Sequence, residues 1–253
     1  MNIKKLAIGA GIGLVVLVAA VWWLFFSGDT PDAVDVDAAN AQLDADLAGD
    51  PDADGEPAAT PAASPFDGDI DATWVVDDEI GTFDFETASG SFAGFRVDEE
   101  LTIGEVVAVG RTGGVSGAVT IEGGRLTGTD ITVDMAAITS NDSRREGPIR
   151  GAIMASDFPE ATFVLTEPVN LPDGLADGEV VTVDAVGDLT VAGTTNQATF
   201  TINALVRDDG FGVITGSTTI TWEDYGVSAP SAPIVVSIDE SGIVEFQLIV
   251  TKG

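Results

Sequence analysis

From about residue 71 to the end of the chain, apolar side chains return at every second position in short runs, and glycine-bearing pairs separate those runs. Val115, Gly117, Val119 and Ile121 share one face while Ser116, Thr120 and Glu122 share the other, the alternation of a strand buried on one side. Ile131, Val133 and Met135 continue it, then Phe163 with Leu165, the run Val181–Val191, Ala198 with Phe200, Ile202 and Ala204, and last Val244, Phe246, Leu248 and Val250. Gly113-Gly114, Gly123-Gly124, Asp173-Gly174, Asp177-Gly178, Asp209-Gly210 and Ser241-Gly242 fall between the runs and supply the positive φ that tight turns need. About eight strands in sequential hairpins predict an all-β domain over 71–253, as an up-and-down barrel or a β-sandwich. Patterning leaves both open; a barrel of that strand number can enclose one elongated ligand.

One stretch breaks the alternation. In NDSRREGPIRGAIMASDFPEATF, residues 141–163, Ile149, Ile153 and Met154 sit at helix-like spacing and Pro148 suits a helix start. It reads as a short helical excursion from the sheet. It also gathers Arg144, Arg145 and Arg150 in a chain with 10 basic against 42 acidic residues and a net charge of −32. Guanidinium forks there could meet a phosphate or carboxamide head group. The competing reading is surface pairing with Asp142 and Glu146. Phe158-Pro159 turns the chain back toward a strand, and Phe158 is a further candidate for ligand contact. Phe163, Phe200 and Phe246 lie on the inward parity, as core filling or as a ligand wall, while Trp222 and Tyr225 line a mouth or cover a barrel end.

Cysteine and histidine are both absent, which excludes disulfides, thiolate nucleophiles, Ser-His-Asp catalysis and the usual zinc and haem ligands. The acidic surplus repels nucleic acid and reads as a solubility device. A glycosidase using two carboxylates is the enzymatic alternative, but acids are so abundant that no pair stands out. Asp50, Asp52, Asp54 and Gly55 imitate the front of a calcium loop, yet Pro61 stands where a bidentate Glu is required. No catalytic residue, cofactor or metal is therefore assigned, and the chain reads as a non-enzyme.

Leu6 to Phe26 carries no charge and is long enough to cross a bilayer core of roughly 30 Å as a helix. Lys4 and Lys5 precede it and Asp29 and Asp32 follow, which keeps residues 1–5 in the cytoplasm and puts the remainder outside. A signal peptide cleaved near Val18-Ala19-Ala20 is the competitor, but the apolar run exceeds the usual signal core. Gly9 and Gly13 form a small-xxx-small pair through which two such helices could associate as a homodimer. Residues 27–70, rich in Asp, Ala and Pro and lacking Lys and Arg, read as a disordered acidic linker.

The order of features along the last part of the chain resembles the YceI-like family, lipocalin-like polyisoprenoid-binding proteins of bacteria, in a membrane-anchored form similar to those of actinobacteria. The resemblance rests on Trp74-Val75-Val76-Asp77, Gly94-Phe95-Arg96-Val97, Asp142-Ser143-Arg144-Arg145-Glu146, Asp157-Phe158-Pro159-Glu160-Ala161-Thr162-Phe163, Gly187-Asp188-Leu189-Thr190-Val191-Ala192-Gly193 and Asp224-Tyr225-Gly226, with the terminal strand through Phe246. Relatives commonly carry a histidine where Ala192 stands, and His-Leu where the central motif here runs Gly147-Pro148-Ile149. The resemblance implies an eight-stranded antiparallel lipocalin-like barrel whose interior holds a long-chain isoprenoid or acyl lipid such as a polyprenyl lipid, an isoprenoid quinone or a fatty amide. It implies binding or carriage outside the cytoplasmic membrane, with a solidly packed spacer module as the alternative.

Overall fold

The computed structural model describes residues 30–49, 65–102, 104–231 and 233–253. The expected cytoplasmic start, the apolar run 6–26 and the Asp50-Asp52-Asp54 segment lie outside the described residues. Among those described, no helix is long and apolar enough to cross a membrane.

Thirteen strands and two α-helices form among the described residues. In chain order they are α1 (Val36–Ala48), β1 (Ala72–Val76), β2 (Phe92–Leu101), β3 (Gly104–Thr112), β4 (Val115–Glu122), β5 (Arg125–Asp134), β6 (Thr139–Ser140), α2 (Ser143–Ala152), β7 (Glu160–Leu165), β8 (Val169–Asn170), β9 (Val181–Val191), β10 (Thr194–Val206), β11 (Gly212–Thr221), β12 (Val235–Ile238) and β13 (Ser241–Lys252). Eight of the strands close on themselves in the order β1-β4-β5-β7-β9-β10-β11-β13, with β13 returning to β1. Every pairing is antiparallel. The result is a barrel, not a sandwich, and closure leaves this ring without a free edge.

The closing strand does two jobs. Val250, Thr251 and Lys252 of β13 pair with β1, whereas Ile243 to Gln247 pair with β2, which continues through β3 to the two-residue β6. At that end α2 covers the barrel, with Ile149 and Ile153 packed on Ile138 and Ala155. Asp142 caps the helix by accepting a hydrogen bond from the Arg144 amide at 2.9 Å. Pro148 is therefore not at the helix start, as its preference suggested, but in its interior.

Two turns also differ from expectation. Gly113-Gly114 joins β3 to β4, which do not pair, so it is a corner and not a hairpin. Ser241-Gly242 opens β13 itself. By contrast Gly123 and Gly124, both with φ in the left-handed region, make the two-residue β4–β5 hairpin.

The disordered linker over 27–70 is not upheld between Pro31 and Gly49. Asp35 caps α1, and Val36, Ala39 and Leu43 on one face of the helix pack on Ile80, Leu205, Phe211, Val213 and Ile249 on the outside of the barrel. These three apolar positions, spaced i, i+3, i+7, give an otherwise acidic helix its buried stripe. Phe66 is ordered as well; its amide donates to the Asp208 carbonyl and its ring tilts against Trp74 at 6.5 Å.

Candidate functional site

The inward parity of the barrel strands surrounds a cavity of about 160 Å³ whose wall is almost wholly hydrocarbon. That is roughly ten times the space a single water needs. Trp74, Leu171, Leu175 and Val206 close one end; Ile138, Ile153, Trp222 and Val227 stand at the other. Trp74 satisfies its indole N–H on the Ile70 carbonyl at 3.0 Å, so it seals its end without a free polar atom. Thr129, one of the few polar side chains in the wall, is also committed: its hydroxyl accepts from the Leu165 amide at 2.9 Å. The interior is thus built for apolar contact.

Of the residues singled out from sequence, Phe163, Phe200, Phe246 and Trp222 line the cavity. Phe163 meets Phe200 edge-on at 5.0 Å and Phe200 meets Phe246 at 5.5 Å, so three strands contribute one aromatic band. Phe158 is 41% exposed and lies against Gly193 in the β9–β10 turn, outside the wall. Tyr225 is buried in the cluster around Phe200 and Ile220 without reaching the cavity. Burial, helped by the neighbouring Asp224 carboxylate, pushes its phenol above the ordinary value.

Arg144, Arg145 and Arg150 sit on α2, and none of them lines the cavity. Arg144 pairs with Asp142 at 2.7 Å, Arg145 with Glu99 at 3.0 Å and Arg150 with Glu146 at 3.6 Å; Arg150 also donates to the Ile138 carbonyl. Hydrogen bonding from Arg144 holds the Asp142 carboxyl below the usual range. Burial does the opposite to Glu99: it raises the carboxyl in spite of Arg145.

Sequence reasoning missed two features. Phe95 lines the cavity and meets Trp222 edge-on at 5.9 Å. On the other face of the same wall, Glu245 is fully buried between two arginines, with Arg96 Nε at 3.0 Å and Arg111 Nη2 at 2.8 Å from its carboxylate. Strand alternation explains the placement: Glu245 borders the cavity between Val244 and Phe246, but its side chain has the opposite parity and its carboxylate reaches Arg96 and Arg111. The chain ahead of α1 covers this triad: the Asp32 carbonyl accepts from both arginines, at 2.8 and 2.6 Å, and the Pro31 carbonyl accepts from Arg96 at 3.1 Å. Arg111 Nε and Thr215 Oγ1 are the buried side-chain polar atoms left without a partner among the described residues.

Residues 74–250 match the family model of the YceI-like domain. No curated protein gives a significant match. Among solved structures, the chain is similar to a polyisoprenoid binding domain from Saccharophagus degradans implicated in plant cell wall breakdown, at 16% identity and a TM-score of 0.52 over 72% of this chain and 99% of that one. It is also similar to BcnA of Burkholderia cenocepacia, at 19% identity and a TM-score of 0.48 over 63% and 96% of the two chains. A YceI protein of Campylobacter jejuni aligns at 14% identity and a TM-score of 0.42 over 55% and 81%.

Proposed function

We propose that this chain, which belongs to the YceI-like domain family, binds a long-chain apolar lipid inside its barrel and holds or carries it on the outer side of the cytoplasmic membrane, fixed there by residues 6–26. The guest is a polyprenyl lipid, an isoprenoid quinone or a fatty amide, and no covalent chemistry is done on it. The cavity carries this reading. An empty apolar space costs roughly 24 cal/mol per Å³, so about 160 Å³ left vacant would subtract about 4 kcal/mol from folding. A hydrocarbon guest removes that cost and adds roughly 0.8 kcal/mol for each methylene it buries. A dozen buried carbons give about 10 kcal/mol before the cost of association, enough for tight retention without an ionic contact.

A solidly packed spacer would not carry such a void. The arginines of α2 are engaged by carboxylates, so the head group is expected outside the barrel and contributes little to affinity.

The test is organic extraction and mass spectrometry of the full chain purified from its own membranes, beside a variant with the bore filled by Ala204→Phe. A long-chain lipid recovered from the wild type and depleted in the variant supports the reading; equal recovery from both, or none from either, ends it. Protease applied to intact cells tests the tether, and a domain that survives such treatment uncut and cell-associated is not on the outer side.

A further inference from the structure

Four glycines in strands, three of them in the barrel ring and Gly110 in the adjoining β3, have no backbone reason to be glycine. Gly110, Gly187, Gly216 and Gly242 all lie in strands, and none adopts a positive φ. A glycine inside a strand costs stability unless something needs the missing side chain's space. Here an aromatic ring uses it in each case: a Cβ at Gly187 would overlap Phe163, at Gly216 Phe246, at Gly110 Phe95 and at Gly242 Trp222, with the Val164 carbonyl also in the way at Gly187 and the Arg96 carbonyl at Gly242. Gly216 stands directly opposite Phe246 in the β11–β13 ladder, and Gly187 is two residues from Leu189, the partner of Phe163.

The geometry has a consequence for the bore. Phe163 and Phe246 each reach over a glycine of the neighbouring strand, β9 and β11 respectively, and occupy the space that a side chain there would fill. Phe163, Phe200 and Phe246 form the aromatic band, so the clearance at that level depends on the two glycines beneath Phe163 and Phe246. A methyl group at either position has a strand behind it and a ring in front. At Gly216 the ring is the only close neighbour and moves inward; at Gly187 the Val164 carbonyl stands beside the ring, so the strand must give as well.

We infer that Gly187 and Gly216 are specificity-determining positions that set the calibre of the bore, keeping it wide enough for a chain with a methyl branch on every isoprene unit and not merely for a straight acyl chain. This rests on the lipid-binding reading above. A straight chain presents only the width of a methylene and tolerates a narrowed band; a branched one meets the displaced rings at each methyl group.

The test uses the full chain, with Gly187→Ala, Gly216→Ala and the double variant, titrated with geranylgeraniol and with n-icosanol, its straight-chain counterpart of equal carbon number. The ratio of affinities, branched over straight, is expected to fall about tenfold in the double variant, as overpacking by a methylene typically costs that much. Gly216→Ala combined with Phe246→Leu takes away the ring that alone meets the new methyl group and is expected to restore the ratio lost in Gly216→Ala, which also covers the case where the single variants fold poorly. An equal loss for both alcohols, an unchanged ratio, or a relieved variant that folds without recovering the ratio overturns the calibre inference alone. A wild-type protein that binds neither alcohol overturns the lipid reading and this inference with it.

Discussion

Glu245→Gln should be among the most destabilising single-atom changes in the protein, and its size follows from the contacts. The Glu245 side chain is 1% exposed and the Arg96 and Arg111 side chains 13% and 4%, so water cannot replace a lost charge. The carboxylate accepts from Arg96 Nε and Nη2 at 3.0 and 3.1 Å and from Arg111 Nη2 at 2.8 Å. Glutamine retains one oxygen and the shape, but it turns an amide N–H₂ toward a guanidinium and takes away the carboxylate charge from two buried cations, which keep that oxygen, backbone carbonyls and, for Arg111, the Phe92 ring. Removing one member of a buried, hydrogen-bonded ion pair typically costs about 3–5 kcal/mol, a large share of the 5–15 kcal/mol by which folded proteins usually exceed their unfolded state. Urea denaturation measures it without the screening that guanidinium salt brings. With a slope of about 2–3 kcal/mol per molar, the midpoint should fall by about 1–2 M. A loss under about 1 kcal/mol would refute the reasoning, for it would mean that the arginine pair is neutralised without the carboxylate. The triple change Arg96→Met, Arg111→Leu, Glu245→Leu should recover most of the loss, because an apolar replacement leaves no charge stranded.

Two further outcomes are expected. Leu43 is fully buried under α1, so Leu43→Ala should cost about 2–4 kcal/mol and open residues 31–49 to limited proteolysis while the barrel remains intact; an unchanged midpoint and cleavage pattern would return this segment to a free linker. The raised Glu99 carboxyl predicts a pH effect of definite sign. A carboxyl whose pKa is higher folded than unfolded makes the native state the better proton acceptor, so stability is gained as pH falls through the folded pKa, and the gain is complete below the unfolded value. Urea midpoints from neutral pH down to about 4 should therefore rise in the wild type relative to Glu99→Gln, and a relative fall would mean that Arg145 outweighs burial after all.

Strand positions were legible wherever one face meets the core. The run Val181–Val191 coincides with β9 because its alternation is unbroken, and the aromatic wall followed from the parity of Phe163, Phe200 and Phe246. Barrel closure came from the family resemblance, since period-two patterning describes a strand and not its neighbours. Helix α1 was hidden because three apolar residues were outvoted by the acidic composition around them; its order comes from docking, which a local reading cannot see. Sequence proximity singled out one set of arginines and left another unseen. Arg144, Arg145 and Arg150 are close in sequence and end in ion pairs on α2, whereas Arg96, Arg111 and Glu245 are scattered along the chain and meet only after folding. Glu245 occupies the polar parity of β13, which ordinarily means solvent; only the segment laid over it makes it interior. Gly242 looked like a turn residue because glycine usually signals one, but here it makes room for the Trp222 indole.

The last strand is the keystone of the ring. β13 is hydrogen-bonded to β11, to β2 and to β1, the barrel's first strand. A nascent chain that still lacks β13 cannot close the barrel, and its first and last strands must find each other across nearly the whole domain, the slow kind of search that long-range topology imposes. Until β13 has been made, the greasy inner faces of the earlier hairpins stay open to anything nearby, and a chain cut short ahead of it would yield an unclosed sheet with sticky margins where a vessel should be.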